Sequence, residues 1–300
     1  MKLKSINEER HYPKFLDELK ETVIKDIMYK IGMTKNRNVT HFIYEIDVKS
    51  KYVDVIVIDM TFKYGENIND KQNYNAYYYN INNNLINGKL NKPQIIISLP
   101  FEGDITNYSI LKYCISHELT HMYDDWMRLS KGKEGINYDD KNVSTTLFIQ
   151  ECMKNSTDFY KGAGGLCYMS LKAEKQAFLS QTIQELDALG CTPYNYREKI
   201  KETVLYNNLM KSYRMFTNGL NKCSNYDLIN FNEFVFSNFP KANIPKYNIK
   251  NFQTNIYKQK LIEWGNNVKH KIMNSYNTVV SYYVDKMVTK LTENKCILIL

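Results

Sequence analysis

No stretch of this 300-residue sequence approaches the roughly 18 apolar residues that a membrane-spanning helix needs, so no membrane partner is expected. The opening MKLKSINEERHYPKF lacks the apolar region of a secretory signal. The terminal CILIL sets its Cys five residues from the end, one too many for a prenylation box, and a short strand or docked apolar tail is expected there. Six cysteines (Cys114, Cys152, Cys167, Cys191, Cys223, Cys296) form no CxxC pair, which predicts reduced thiols and a cytoplasmic location. Missing too is any run of five or six basic residues. The net charge of +8 is spread along the chain and reads as solvated surface, so nucleic acid is not the expected partner.

Abundance lies in Asn, Lys, Ile and Tyr. The 25 tyrosines look like the codon bias of an AT-rich genome, which weakens any functional reading of clusters such as NYNAYYYNINNNL at 73–85. Hydrophobic content of 43% is ordinary for a globular chain and enough for a sizeable core.

The spacing of Leu16, Leu19, Val23, Ile27 and Ile31 predicts a helix opened by Pro13 and stopped by Gly32. HFIYEIDV (41–48) and YVDVIVIDMTF (52–62) alternate and are β-branched, which predicts two strands. Asn87-Gly88 signals a two-residue hairpin joining a strand near 77–86 to one ending in PQIIISLP (93–100). The sheet should have three or four strands, mostly antiparallel. From Asn107 the pattern turns helical, with helices expected at 108–130, 144–156, 166–188, 197–220, 226–237, 249–273 and 276–293. The KGAGG stretch (161–165) reads as a turn before the third of these, not as a phosphate cradle. The expected class is α+β, with a core over 1–188 and a helical subdomain over 189–300.

Within YCISHELTHMYDDW (113–126) lies HELTH, which holds two of the chain's five histidines. One helical turn apart, His117 and His121 share a face and can offer imidazole nitrogens to one cation. Glu118 sits about 100° round the helix, beside such an ion without ligating it. Zinc lowers the pKa of bound water toward roughly 7, and a carboxylate so placed can take the proton during attack on a carbonyl. Ile115, Leu119, Met122, Trp126 and Leu129 make an apolar stripe that should pack on the sheet, leaving the histidines on another face.

A strand, a short loop (FEGDITN), a helix with HExxH and a later helix able to supply a ligand together resemble the zincin metallopeptidases. HELTH followed by Asp125 is similar to the thermolysin-type segment. That resemblance covers about 93–130 and extends loosely to 186. It implies one Zn²⁺, a protein or peptide substrate, and a strand, IIISL (95–99), lying along the cleft to pair with the substrate. Asp124 and Asp125 would orient a ligand histidine.

A catalytic zinc usually takes three protein ligands. The metzincin pattern fails, because Asp124 and Met127 stand where Gly and His should be, and His270 has no motif around it. The remaining candidates are Glu134, Asp139, Asp140, Glu151, Asp158, Glu174 and Glu185. Glu174 leads: its helical neighbours Ser170, Leu171, Ala177 and Phe178 face inward, and an inward carboxylate needs a compensating charge. In gluzincins the third ligand lies on such a helix, often as ExxA, matched here by Glu174–Ala177. Ala173 and Phe178 depart from the thermolysin pattern, and Glu151 stays as the next candidate. Tyr168 is nominated to stabilise the transition state.

The reading is a zinc metallopeptidase, with Glu118 catalytic and His117, His121 and Glu174 as ligands. The alternatives are a zincin-like structural or binding protein with non-catalytic zinc, docking a protein partner through its C-terminal helices, and a basic nucleic-acid-associated protein.

Overall fold

Alternating β-branched residues and two long helices build the first half of the chain. The computed structural model describes residues 14–34, 40–70, 73–102, 107–136, 140–248 and 252–297. His11, Pro13, residues 103–106 of the FEGDITN loop, Asp139 and the last three residues of CILIL lie outside them. The chain divides into two compact units, Met1–Asn137 and Tyr138–Leu300, each with its own hydrophobic core. No helix among the described residues is long and apolar enough to cross a membrane.

In the first unit, helix α1 (Lys14–Thr34) buries Leu19, Val23, Ile27 and Ile31 and continues two residues past Gly32. Strands β1 (His41–Asp47), β2 (Val55–Tyr64), β3 (Asn75–Tyr79), β4 (Leu85–Ile86), β5 (Lys89–Leu90) and β6 (Gln94–Phe101) follow, then helix α2 (Tyr108–Leu129). Strict alternation buries Ile56, Ile58, Met60 and Phe62 on β2, and Ile95, Ile97 and Leu99 on β6. The hairpin forms at Asn87-Gly88, where both φ angles are positive (53° and 78°), but it joins only the short β4 and β5.

The expected strand over 77–86 therefore ends at Tyr79, because Asn80 and Asn83 turn the chain away. The sheet is mixed, in the order β1-β2-β6-β3, with β2 and β6 parallel. This order keeps two of the sheet's three pairings antiparallel, as expected; the parallel one arises because the chain leaves β2, makes β3 beyond β6, and returns through the hairpin. It also removes IIISL from the edge. That segment lies in β6, paired on both sides, and the edge strand beside it is β3.

The second unit is helical: α3 (Asp140–Lys154), α4 (Asp158–Ser170), α5 (Lys172–Ala188), α6 (Tyr196–Lys199), a 3₁₀ turn (Ile200–Glu202), α7 (Val204–Lys222), α8 (Asn225–Asn238) and α9 (Thr254–Ile297). Its core is aromatic, with Phe159 between Phe216 and Phe231 at ring-centroid distances of 5.6 and 4.6 Å.

Three sequence expectations change here. KGAGG is not a turn but part of α4. A Cβ on Gly162 would strike the backbone of Phe216, and one on Gly219 would stand 2.5 Å from the amide nitrogen of Phe159. Each helix offers Phe-x-x-Gly (159–162 and 216–219), and the glycines let α4 and α7 approach backbone to backbone. The expected helix 166–188 breaks at Leu171, whose ψ of 132° is extended. The two helices expected at 249–273 and 276–293 are one, α9. Helix α4 packs on α7, and residues 138–188 group with the C-terminal helices in the second unit.

Candidate metal centre

Helix α2 starts at Asn107, whose side-chain oxygen accepts the amide of Ile110 at 3.2 Å. Its stripe packs as expected: Ile115, Leu119 and Met122 are fully buried, and Trp126 donates its indole N–H to the carbonyl of Gly88 at 2.8 Å. The middle of the helix is buried all round. Ser116, His117, Glu118, Thr120 and His121 are enclosed as well as the stripe, so polar groups here are held out of bulk water.

The rings of His117 and His121 stand 4.9 Å apart between centroids, tilted 76°. Glu174 is the third residue of α5, in the first turn, where the helix dipole favours a negative charge. His117, His121 and Glu174 each offer one ligand atom, and these atoms all lie within 4.8 Å of one another. Donors bound at ~2.0–2.2 Å round a tetrahedral ion stand about 3.4 Å apart, and this group could hold a metal ion. Two imidazoles and one carboxylate are also a donor set that suits zinc. Among the described residues, no other group of three or more His, Cys, Asp or Glu side chains could hold a metal ion.

Glu185, Glu151, Glu134, Asp158 and His270 are placed elsewhere. Glu185 is fully buried, but it accepts the Val204 amide at 2.8 Å and the Gln181 side chain at 3.2 Å, so it serves the start of α7. Glu151 is exposed and pairs with Lys154 at 2.6 Å. Glu134, Asp158 and His270 are exposed. Tyr168 belongs to α4, not to the Glu174 helix, since Leu171 separates the two; its ring meets Phe178 edge-on at 5.9 Å.

Glu118 is buried, and its Oε2 accepts the backbone amide of Tyr78 on β3 at 2.6 Å. The Tyr78 phenol donates to Asp125 Oδ2 at 2.9 Å. Burial first, and the Asp125 carboxylate second, push that phenol well above its ordinary pKa, so it stays a donor. Asn80 also donates to Asp125 Oδ2, at 2.7 Å, and the Ile136 amide donates to Oδ1 at 2.7 Å. Asp125 thus ties β3 to the segment after α2, where sequence reasoning had assigned it to a ligand histidine. Tyr78 and Asn80 were missed altogether. Nothing in a chain with 25 tyrosines distinguishes one of them.

Fold and site together define an α+β chain whose buried helix carries an HxxxH pair that, with Glu174, can hold one metal ion. Comparison with protein-family models, curated proteins and solved structures finds no match.

Proposed function

We propose that this chain is a zincin-type metallopeptidase of the gluzincin kind, with one Zn²⁺ held by His117, His121 and Glu174. The observation that carries this reading is Glu174. Chosen from the sequence for its inward position, 53 positions after His121, it lies with its carboxylate beside both imidazoles.

A bound zinc supplies Lewis acidity and lowers the pKa of its water. The protein side is the work of Glu118. Anchored through Oε2 on the Tyr78 amide, it keeps Oε1 to accept a proton from the attacking water and return it to the leaving nitrogen. Burial of the HELTH face limits competing water and strengthens these interactions. An intact carboxylate beside the histidines favours catalytic over purely structural zinc, because a structural site has no use for a base there.

Zinc stoichiometry by elemental analysis tests the ligand set. Wild type should bind one zinc, and His121→Ala and Glu174→Ala should each lose most of it. Wild type without metal would sink the proposal; full zinc in the Glu174 variant would remove that residue from the set.

A further inference from the structure

We infer that Asp125 is a positioning residue for Glu118, acting through Tyr78. Every second amide of an edge strand faces away from the sheet, and β3 is the edge strand beside β6. At Tyr78 that amide is taken by a buried carboxylate in a short bond of 2.6 Å to a charged acceptor. A five-residue edge strand frays readily and would hold Glu118 only loosely without support.

Asp125 supplies the support from the same helix, seven residues on. It grips the Tyr78 phenol and the Asn80 side chain, so β3 and the turn after it are fixed to α2 at two points. Its other oxygen holds the Ile136 amide, and a Cβ on Gly135 would stand 2.6 Å from that oxygen. Asn83 accepts the Gly135 amide at 2.9 Å, so the segment that closes on Asp125 is itself held. The bonds of the Asp125 carboxylate therefore lead to β3, to the turn after it and to this segment. The loop α2–Asp125–Tyr78–Glu118–α2 closes on itself within one unit and fixes where the Glu118 carboxylate stands.

Amide hydrogen exchange of Tyr78, followed by NMR, reads the positioning without any activity. Glu118→Ala should speed Tyr78 exchange about 30-fold, the loss of one hydrogen bond to a charged group. Asp125→Asn, which leaves one acceptor where two are needed, should speed it about 10-fold while Ile97 in β6 keeps its protection. Should Asp125→Asn fail to fold, Tyr78→Phe, which keeps the amide and removes the phenol, carries the test with the same expected direction. Unchanged Tyr78 exchange in the folded variant overturns the inference.

A second readout rests on the peptidase reading. In Asp125→Asn, kcat per bound zinc should fall about 10- to 100-fold with KM within twofold, the pattern of a displaced base. A merely structural role would lower the zinc-loaded fraction and leave kcat per zinc unchanged, which also overturns it. If wild type hydrolyses no peptide while the exchange results hold, the proposed function fails and the positioning role stands.

Discussion

In residues 14–136 the buried polar side chains crowd onto one helix, with Ser116, His117, Glu118, Thr120, His121 and Asp125 all on α2. In residues 140–297 they are scattered, and several serve the backbone. Glu185 caps α7, Thr182 donates to the Phe178 carbonyl, and Asn232 both donates to and accepts from the backbone of Tyr247. Burial of a polar group is costly in either place. The difference is that the second unit offsets it with local backbone bonds, whereas on α2 two imidazoles and a carboxylate are gathered with a third candidate ligand. A buried carboxylate is thus not in itself a sign of function; Glu118 and Glu185 are both buried and each accepts a backbone amide, and only Glu118 stands beside two imidazoles.

Exchanging those two residues is the sharpest way to break the contrast. Glu118→Gln should lower peptide hydrolysis by about 10³-fold, or about 4 kcal/mol on the barrier, with zinc retained. Hydrolysis at the wild-type rate would end the assignment of the base. Glu185→Gln should leave turnover per bound zinc within about twofold and cost about 1–3 kcal/mol of stability, read as a lower urea midpoint, because the Val204 amide loses a charged acceptor.

Two glycines set the packing of the units apart. Gly162→Ala drives a methyl into the Phe216 backbone, which cannot move aside as a side-chain tip could, and should cost about 1–3 kcal/mol. Gly32→Ala, in α1 with open space round it, should instead stabilise by up to about 1 kcal/mol. Equal effects in thermal melts would mean that the Phe-x-x-Gly approach of α4 and α7 is not tight.

The smallest effect is one of pH. Burial pushes the thiols of Cys152 and Cys167 upward, more than the neighbouring charges do. A raised folded-state pKa means that the stability contribution is whole below the unfolded thiol value of about 8.5 and is lost as pH rises above it. Urea midpoints should therefore fall between about pH 8.5 and 10 by more in wild type than in Cys152→Ala/Cys167→Ala. Parallel curves would show that these thiols do not contribute.

Much of the first unit could be read directly. Period-two burial on β2 and β6, the α2 stripe and the Asn87-Gly88 turn are local patterns, and each formed where the residues placed it. Strand order was not legible, since alternation says which face is buried and not which neighbour is paired. In the second unit the glycines of α4 misled, because local propensity marks glycine as a breaker and only Phe216, more than fifty residues on, explains its presence. For the same reason Leu171, an unremarkable residue in a helical pattern, gave no warning of the break before Glu174.

The HELTH spacing determined by itself that two imidazoles share a helix face with a carboxylate beside them, because a helix of fixed pitch turns sequence distance into geometry. Glu174 could be nominated from its neighbours, but placing its carboxylate within 4.8 Å of both histidines required the folded chain. So did the hold on Glu118 from Tyr78 and Asp125: a contact between residues 40 positions apart depends on strand order, and no local pattern encodes that.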